Sequence, residues 1–209
     1  RVIGHARVAK SLGADGLVVT APFYARTNAA ETRAHFRAVR EAVDLPVFAY
    51  DIPVAVHSKL DLDSLVALAR EGTIAGLKDS SGDEGGFRDV ILATRDIPGF
   101  VVMTGSERTA DAAMLMGADG LVPGLGNVDP GGYVRLYDAA RRGDWKACVA
   151  EQDRLCRLFR MVAVATPRAS LGSAGVGAFK AALQAQGIFA TRDMPAPLVA
   201  LDDAEAAEV

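Results

Sequence analysis

The sequence is 209 residues long, half of them hydrophobic, with a formal net charge of -3, which is enough chain for a domain with a sizeable core. Acids and bases are interspersed, so nothing speaks for a nucleic-acid or anionic-membrane partner, and small-molecule chemistry is the default. No run of about 18 apolar residues occurs and no secretory leader is expected, and the two cysteines, Cys148 and Cys156, fall on one expected helix about two turns apart, too far to bridge; a reducing, cytoplasmic setting is expected.

The first residue is Arg1, and Val2, Ile3, Ala6, Val8, Ala9 and Leu12 keep a helical spacing already under way. The sequence is therefore expected to start inside an element, with a portion missing before it. A glycine turn then leads into Leu17-Val-Val-Thr-Ala-Pro22, a β-branched run closed by proline, which predicts a strand. Asn28 is placed to cap a helix over 29–43 with Ala34, Phe36, Val39 and Val43 inward. Pro46 introduces a second strand ending at Tyr50-Asp51, and 60–71 has helical periodicity with Asp61 or Asp63 near its positive end. A third strand is predicted at 74–77 and a helix over 83–94, with Phe87, Val90, Ile91 and Leu92 as its apolar members. A fourth strand follows at 100–106, a short helix at 109–116, and a fifth strand opens at 117–122 into the glycine-rich loop 123–126. From there helices are expected at 130–142, 145–164 and 175–186, and a tail from Thr191, rich in Pro, Ala and acids, is expected to fray. The expected organisation is a partial (β/α) barrel over 1–142, then a helical region and tail over 143–209.

Leu12-Gly-Ala-Asp-Gly-Leu-Val18 recurs almost unchanged as Met116-Gly-Ala-Asp-Gly-Leu-Val122, the same helix-to-strand turn built twice. Short apolar strands alternating with helices imply parallel βαβ units, fitting an open doubly wound sheet or part of an eight-stranded barrel. The barrel is favoured because Tyr24, Tyr50, Lys78, Thr104-Gly105 and the glycine loop all sit at or just past strand ends, which in a barrel converge on one face. Among these Lys78 has two readings: its head sits in water or pairs with an acid such as Asp79, or it is the reactive group. Burying an ammonium at a strand end favours the neutral amine, and a neutral amine can form a Schiff base with a carbonyl compound. Lys59, the rival, lies in a polar loop.

Together Ala21-Pro-Phe-Tyr24, Tyr50-Asp-Ile-Pro53, Gly76-Leu-Lys-Asp-Ser-Ser-Gly82, Thr104-Gly105 and Gly117-Ala-Asp-Gly-Leu-Val122 resemble the dihydrodipicolinate synthase and N-acetylneuraminate lyase family of class I aldolases, over 1–187. The resemblance implies a (β/α)8 TIM barrel of which these residues hold strands four to eight, followed by C-terminal helices. It implies that Lys78 forms an imine with pyruvate or another 2-oxo acid, that Tyr50 shuttles protons, and that Tyr24 completes a relay across a subunit interface. Gly105 and Val122 match backbone positions lining the imine pocket. A homodimer or homotetramer with no metal or organic cofactor is implied as well. The pattern departs from the family in three places. The first three strands, which carry the segment that grips the 2-oxo acid carboxylate, have no counterpart. Ala55 stands where dihydrodipicolinate synthases carry an arginine, and nothing adjacent replaces its fork. Asp51 and His57 differ from the commoner residues there, so they are expected to face a different distal substrate. The expected function is a Schiff-base lyase on a 2-oxo acid with a sugar-acid-like substrate; a dehydratase on a deoxy-keto sugar acid and a non-catalytic 2-oxo-acid-binding relative or inactive fragment are the alternatives. Asp79 is read as a turn cap, the 123–127 loop as a substrate-lining turn rather than a phosphate cradle, and His5, His35 and both cysteines as structural.

Overall fold

Five parallel strands lie side by side in chain order in the computed structural model, which describes residues 1–166 and 168–209. They are β1 (Leu17–Thr20), β2 (Val47–Asp51), β3 (Gly76–Asp79), β4 (Val101–Thr104) and β5 (Gly120–Leu121). Consecutive parallel strands need a crossover, and helices supply it: α1 (Val2–Ser11) precedes β1, and α2 (Ala29–Ala42), α3 (Pro53–Val56), α4 (Leu62–Arg70), α5 (Glu84–Thr94) and α6 (Ala110–Met116) fall between the strands. This is the α/β architecture expected from the alternating pattern. Tight contacts divide the chain into two compact units, Arg1–Ser106 with Ala112–Val122, and Glu107–Asp111 with Pro123–Val209.

In the first unit α1 packs on α2, α2 on α4 and α4 on α5. The helix starts are made by local chemistry that the sequence shows. Asn28 and Glu31 form a reciprocal capping box at α2, while Asp61 and Asp83 accept the Ser64 and Gly86 amides at α4 and α5; each such cap contributes about 1 kcal/mol. Phe36, Val39, Val47, Leu65, Leu68 and Leu77 are buried in this unit, each contributing about 1.5–3 kcal/mol. One residue expected to point inward lies outside it, and one apolar member of α5 faces solvent. Ala34 is exposed, because Thr32, one turn before Phe36, takes the inward position instead; Leu92 is exposed, because it stands about 100° around the helix from buried Ile91. The third strand also sits two residues later than 74–77, so Lys78 lies within it rather than after it.

His35 shows how burial couples this unit to pH. Its ring packs edge-on against Phe36 and its Nε2 lies 3.2 Å from the Thr20 carbonyl oxygen. Burial pushes the imidazole below its ordinary value, more than the Thr20 hydrogen bond raises it. The folded chain therefore binds fewer protons than the unfolded one once the pH falls below the ordinary histidine value, and stability is lost as pH falls through the depressed one. Urea unfolding of the wild type between about pH 7 and 5 should show a declining midpoint, and His35→Gln should flatten that part of the decline.

In the second unit a 3-10 turn at 124–127 leads to α7 (Pro130–Arg141), α8 (Trp145–Phe159), α9 (Leu171–Ala185) and α10 (Asp203–Ala207). The helix expected over 175–186 starts earlier, at Leu171, because Ser170 caps it by accepting the Ser173 amide. The tail expected to fray is instead folded. Leu201 is buried against Gly177, where a Cβ would come within 2.5 Å of the Leu201 Cδ1. Arg192 donates to the Leu201 carbonyl and pairs with Asp203, and Arg168 forks onto Glu205. Cys148 and Cys156, both reduced thiols, lie on α8 as expected.

Candidate active site

Strand register places the chemistry. Thr20, Tyr50, Lys78, Met103 and Gly120 are successive partners across β1 to β5, so they form one row. The next row holds Asp51, Asp79, Thr104 and Leu121. Side chains alternate along a strand, and burial follows: Tyr50 and Lys78 are half-buried, Asp51 and Asp79 wholly buried on the other face.

Lys78 and Tyr50 meet. The Lys78 Nζ lies 4.1 Å from the centroid of the Tyr50 ring, within the range where a cation over an aromatic face is stabilised by about 0.5–2 kcal/mol. Ser80 completes the cluster, its Oγ donating to the Tyr50 hydroxyl at 3.4 Å. Gly105 closes it from just past β4: a Cβ there would stand 2.1 Å from the Ser80 Oγ and 3.2 Å from the Lys78 Cε, so a larger residue fits beside the lysine stem only if Ser80 or the end of β4 moves. The Gly105 amide donates to the Asp79 carbonyl and the Val122 amide to the Thr104 carbonyl, which fixes both strand ends, while the Val122 side chain is largely exposed. Ser80 was not singled out from the sequence, yet a signal existed: two residues after Lys78 in an extended chain means the same face.

Three expected site residues lie elsewhere. Tyr24 is 92% exposed in the loop after β1, where Val18, Phe23, Tyr24, His5 and His35 help to line an open cavity of about 660 Å³. His57 is exposed and ends α3 in the left-handed region, φ 58°. Asp51, expected to face substrate, is 0% exposed, and its carboxylate is occupied by the Lys59 ammonium and by the Leu60 amide at 3.2 Å. Burial pushes the Asp51 carboxyl above the usual carboxylate range against the pull of those two donors, and neighbouring Asp79 pushes the same way. Lys59 is thus a counter-ion rather than a free amine in a polar loop. Asp79 caps the turn as read, its Oδ1 accepting the Ser81 amide at 2.7 Å, while its Oδ2 is buried without a hydrogen-bond partner among the described residues. An arginine unforeseen from the sequence reaches the end of α3, the helix that contains Ala55: Arg26 donates to the His57 carbonyl at 3.4 Å. In the second unit the amides of Gly124 and Gly126 are taken by Glu107 and Pro123, so the glycine loop does not present them as a phosphate cradle.

The pattern of the Dihydrodipicolinate synthetase family matches residues 2–209. The chain belongs to that family. An uncharacterised DapA-like lyase of Halobacterium salinarum is 36% identical over 203 residues, which is 97% of this chain and 63% of the relative. A 4-hydroxy-tetrahydrodipicolinate synthase of Methanosphaerula palustris is 33% identical over 158 residues, 76% of this chain and 54% of that protein. The chain thus spans less than two thirds of the length of these relatives. Among solved structures, dihydrodipicolinate synthase of Bacteroides thetaiotaomicron superposes with a TM-score of 0.90 at 26% identity, covering 99% of this chain and 68% of that one. YagE, a prophage protein of the same family from E. coli K12 solved in complex with pyruvate, gives 0.89 at 26% identity, with 99% and 67% covered. Membership of the dihydrodipicolinate synthetase family therefore extends over both compact units, the helices of the second included.

Proposed function

We propose that the protein is a Schiff-base lyase acting on a pyruvate-type 2-oxo acid, with Lys78 as nucleophile and Tyr50 as proton shuttle. The observation that carries this reading is the stacking of the Lys78 Nζ over the Tyr50 ring, on neighbouring strands of one parallel sheet. It is supported by the family and by the pyruvate held in the YagE structure. Lys78, as a free amine, attacks the C2 carbonyl carbon of the keto acid. Tyr50 returns a proton to the departing oxygen, water leaves, and the iminium becomes an electron sink. Tyr50 takes the proton of the C4 hydroxyl as the C3–C4 bond breaks, releasing an aldehyde and leaving an enamine, which takes that proton at C3 and is hydrolysed by water to free pyruvate and the lysine amine. A sugar acid is the substrate class we infer, since neither Ala55 nor its neighbours in α3 offer a charged fork for a second carboxylate. Gly105 and Val122 line the imine through their backbone, and the five strands stand as strands four to eight of an eight-stranded barrel whose remaining strands pair with the free edge of β1. Tyr24, exposed here, is assigned to a relay completed in a homodimer or homotetramer.

Borohydride reduction of the complete polypeptide with pyruvate, followed by peptide mass measurement, tests the reading. The peptide that contains Lys78 should gain one reduced pyruvyl group. A folded, complete protein that gains none would sink the proposal. Tyr50→Phe keeps the amine and the ring beneath it while removing the shuttled proton, so it should trap pyruvate to the same final extent at a rate about 10²-fold lower; an unchanged rate removes Tyr50 from the mechanism.

A further inference from the structure

We propose that the Asp51–Lys59 ion pair is a clasp that positions Tyr50 and Ser80, which makes Asp51 and Lys59 positioning residues for proton transfer at the imine; what Tyr50 does there rests on the lyase reading above. Asp51 directly follows Tyr50 and points to the opposite face of β2, into the buried side of the sheet. A buried carboxylate is tolerated only when its oxygens are matched. Here both are: one by the Leu60 amide, the other by the Lys59 ammonium.

The consequence is a closed excursion. The chain leaves at Asp51, makes the single turn of α3, reverses at His57 in the left-handed region and returns to Asp51 at Lys59 and Leu60. At the same residue the main chain faces the neighbouring strand, since the Asp51 carbonyl accepts the Ser80 amide at 2.8 Å. One residue therefore holds the loop by its side chain and Ser80 by its backbone, with Tyr50 as its neighbour in the chain. A shift of Asp51 moves both members of the 3.4 Å contact between the Ser80 and Tyr50 hydroxyls.

Lys59 is required because Asp51 is not alone. Asp79 is its register partner on β3, is also buried, and has one carboxylate oxygen on the Ser81 amide and the other without a hydrogen bond among the described residues. Of these two adjacent buried acids, Asp51 alone has an ion pair among the described residues, with Lys59. An exposed ion pair stabilises little, but this pair has one wholly buried end, and removing the cation strands a charge. The loop must move to let water reach it.

The test separates imine formation from proton transfer in the complete polypeptide. Trapping with pyruvate and borohydride reports the Lys78 imine, and loss of the pyruvate methyl signal in deuterated water, followed by NMR, reports proton exchange at C3 of the enamine. Lys59→Met should trap pyruvate to the wild-type final extent while exchanging C3 about tenfold more slowly, because a small misplacement of a catalytic group slows its step without removing it. Lys59→Arg, which keeps the cation, should restore most of the exchange. Equal exchange in Lys59→Met and the wild type overturns the clasp, and so does parallel loss of trapping and exchange, the mark of a merely structural role. Should Lys59→Met fail to fold, Asp51→Asn, which leaves Lys59 free to reach water, must show the same split. If the wild type traps no pyruvate, the lyase reading falls and the clasp is judged by amide hydrogen exchange: faster exchange over 52–60 in the variant upholds it, and unchanged protection overturns it.

Discussion

Lys78→Ala should leave the protein with no borohydride-reducible pyruvate adduct, a loss down to background rather than a slower rate. The imine needs an amine within reach of the keto acid and beside the phenol. Lys59 is the nearest rival in sequence, but its Nζ is bound to Asp51 on the opposite face of β2 from Tyr50. Lys78 is half-buried and its Nζ lies over the Tyr50 ring, so losing that contact costs about 0.5–2 kcal/mol in stability, and the variant should still unfold cooperatively in urea, at a modestly lower midpoint. An adduct mapped to another lysine in the variant would show that this amine is dispensable.

Gly105→Ala should be nearly as damaging, for a steric reason. The added methyl would stand 2.1 Å from the Ser80 Oγ, 3.3 Å from the Ser80 Cβ and 3.2 Å from the Lys78 Cε. Either Ser80 swings out and leaves the Tyr50 hydroxyl, or the end of β4 moves back and breaks the 2.7 Å hydrogen bond from the Gly105 amide to the Asp79 carbonyl. Overpacking of this kind costs about 1–3 kcal/mol, and the displaced lysine stem should slow pyruvate trapping by roughly 10²-fold. Adding Ser80→Ala removes the closest clashing atom. The double variant should therefore trap faster than Gly105→Ala alone, a coupling expected only of residues in contact. Equal rates in the single and double variants would place the damage elsewhere.

The parallel sheet was legible because its signals are local and repeated: β-branched runs stopped by proline, the duplicated Gly-Ala-Asp-Gly turn, and cap residues such as Asn28 and Asp61 just before periodic stretches. The meeting of Tyr50 and Lys78 was legible for the same reason, since residues at corresponding ends of neighbouring parallel strands fall into register. What escaped depends on partners distant in sequence. Lys59 reads as solvated until a buried Asp51 stands behind it, and Arg26 reads as a loop cation until the turn at His57 comes alongside. Ala34 was misplaced because an apolar side chain near the edge of a helical stripe carries no mark of which way the helix is rotated. Composition misled at the tail, where Pro, Ala and acids suggested freedom but one leucine and two arginines supply the anchorage.

That anchorage leaves a trace in how such a sequence can change over time. Most side chains between Asp193 and Ala200 reach toward water and can be rewritten one at a time. Position 177 is tied to 201: a methyl at the glycine would claim space that the Leu201 Cδ1 occupies. A bulkier residue can settle at 177 only where Leu201 has shrunk or turned aside.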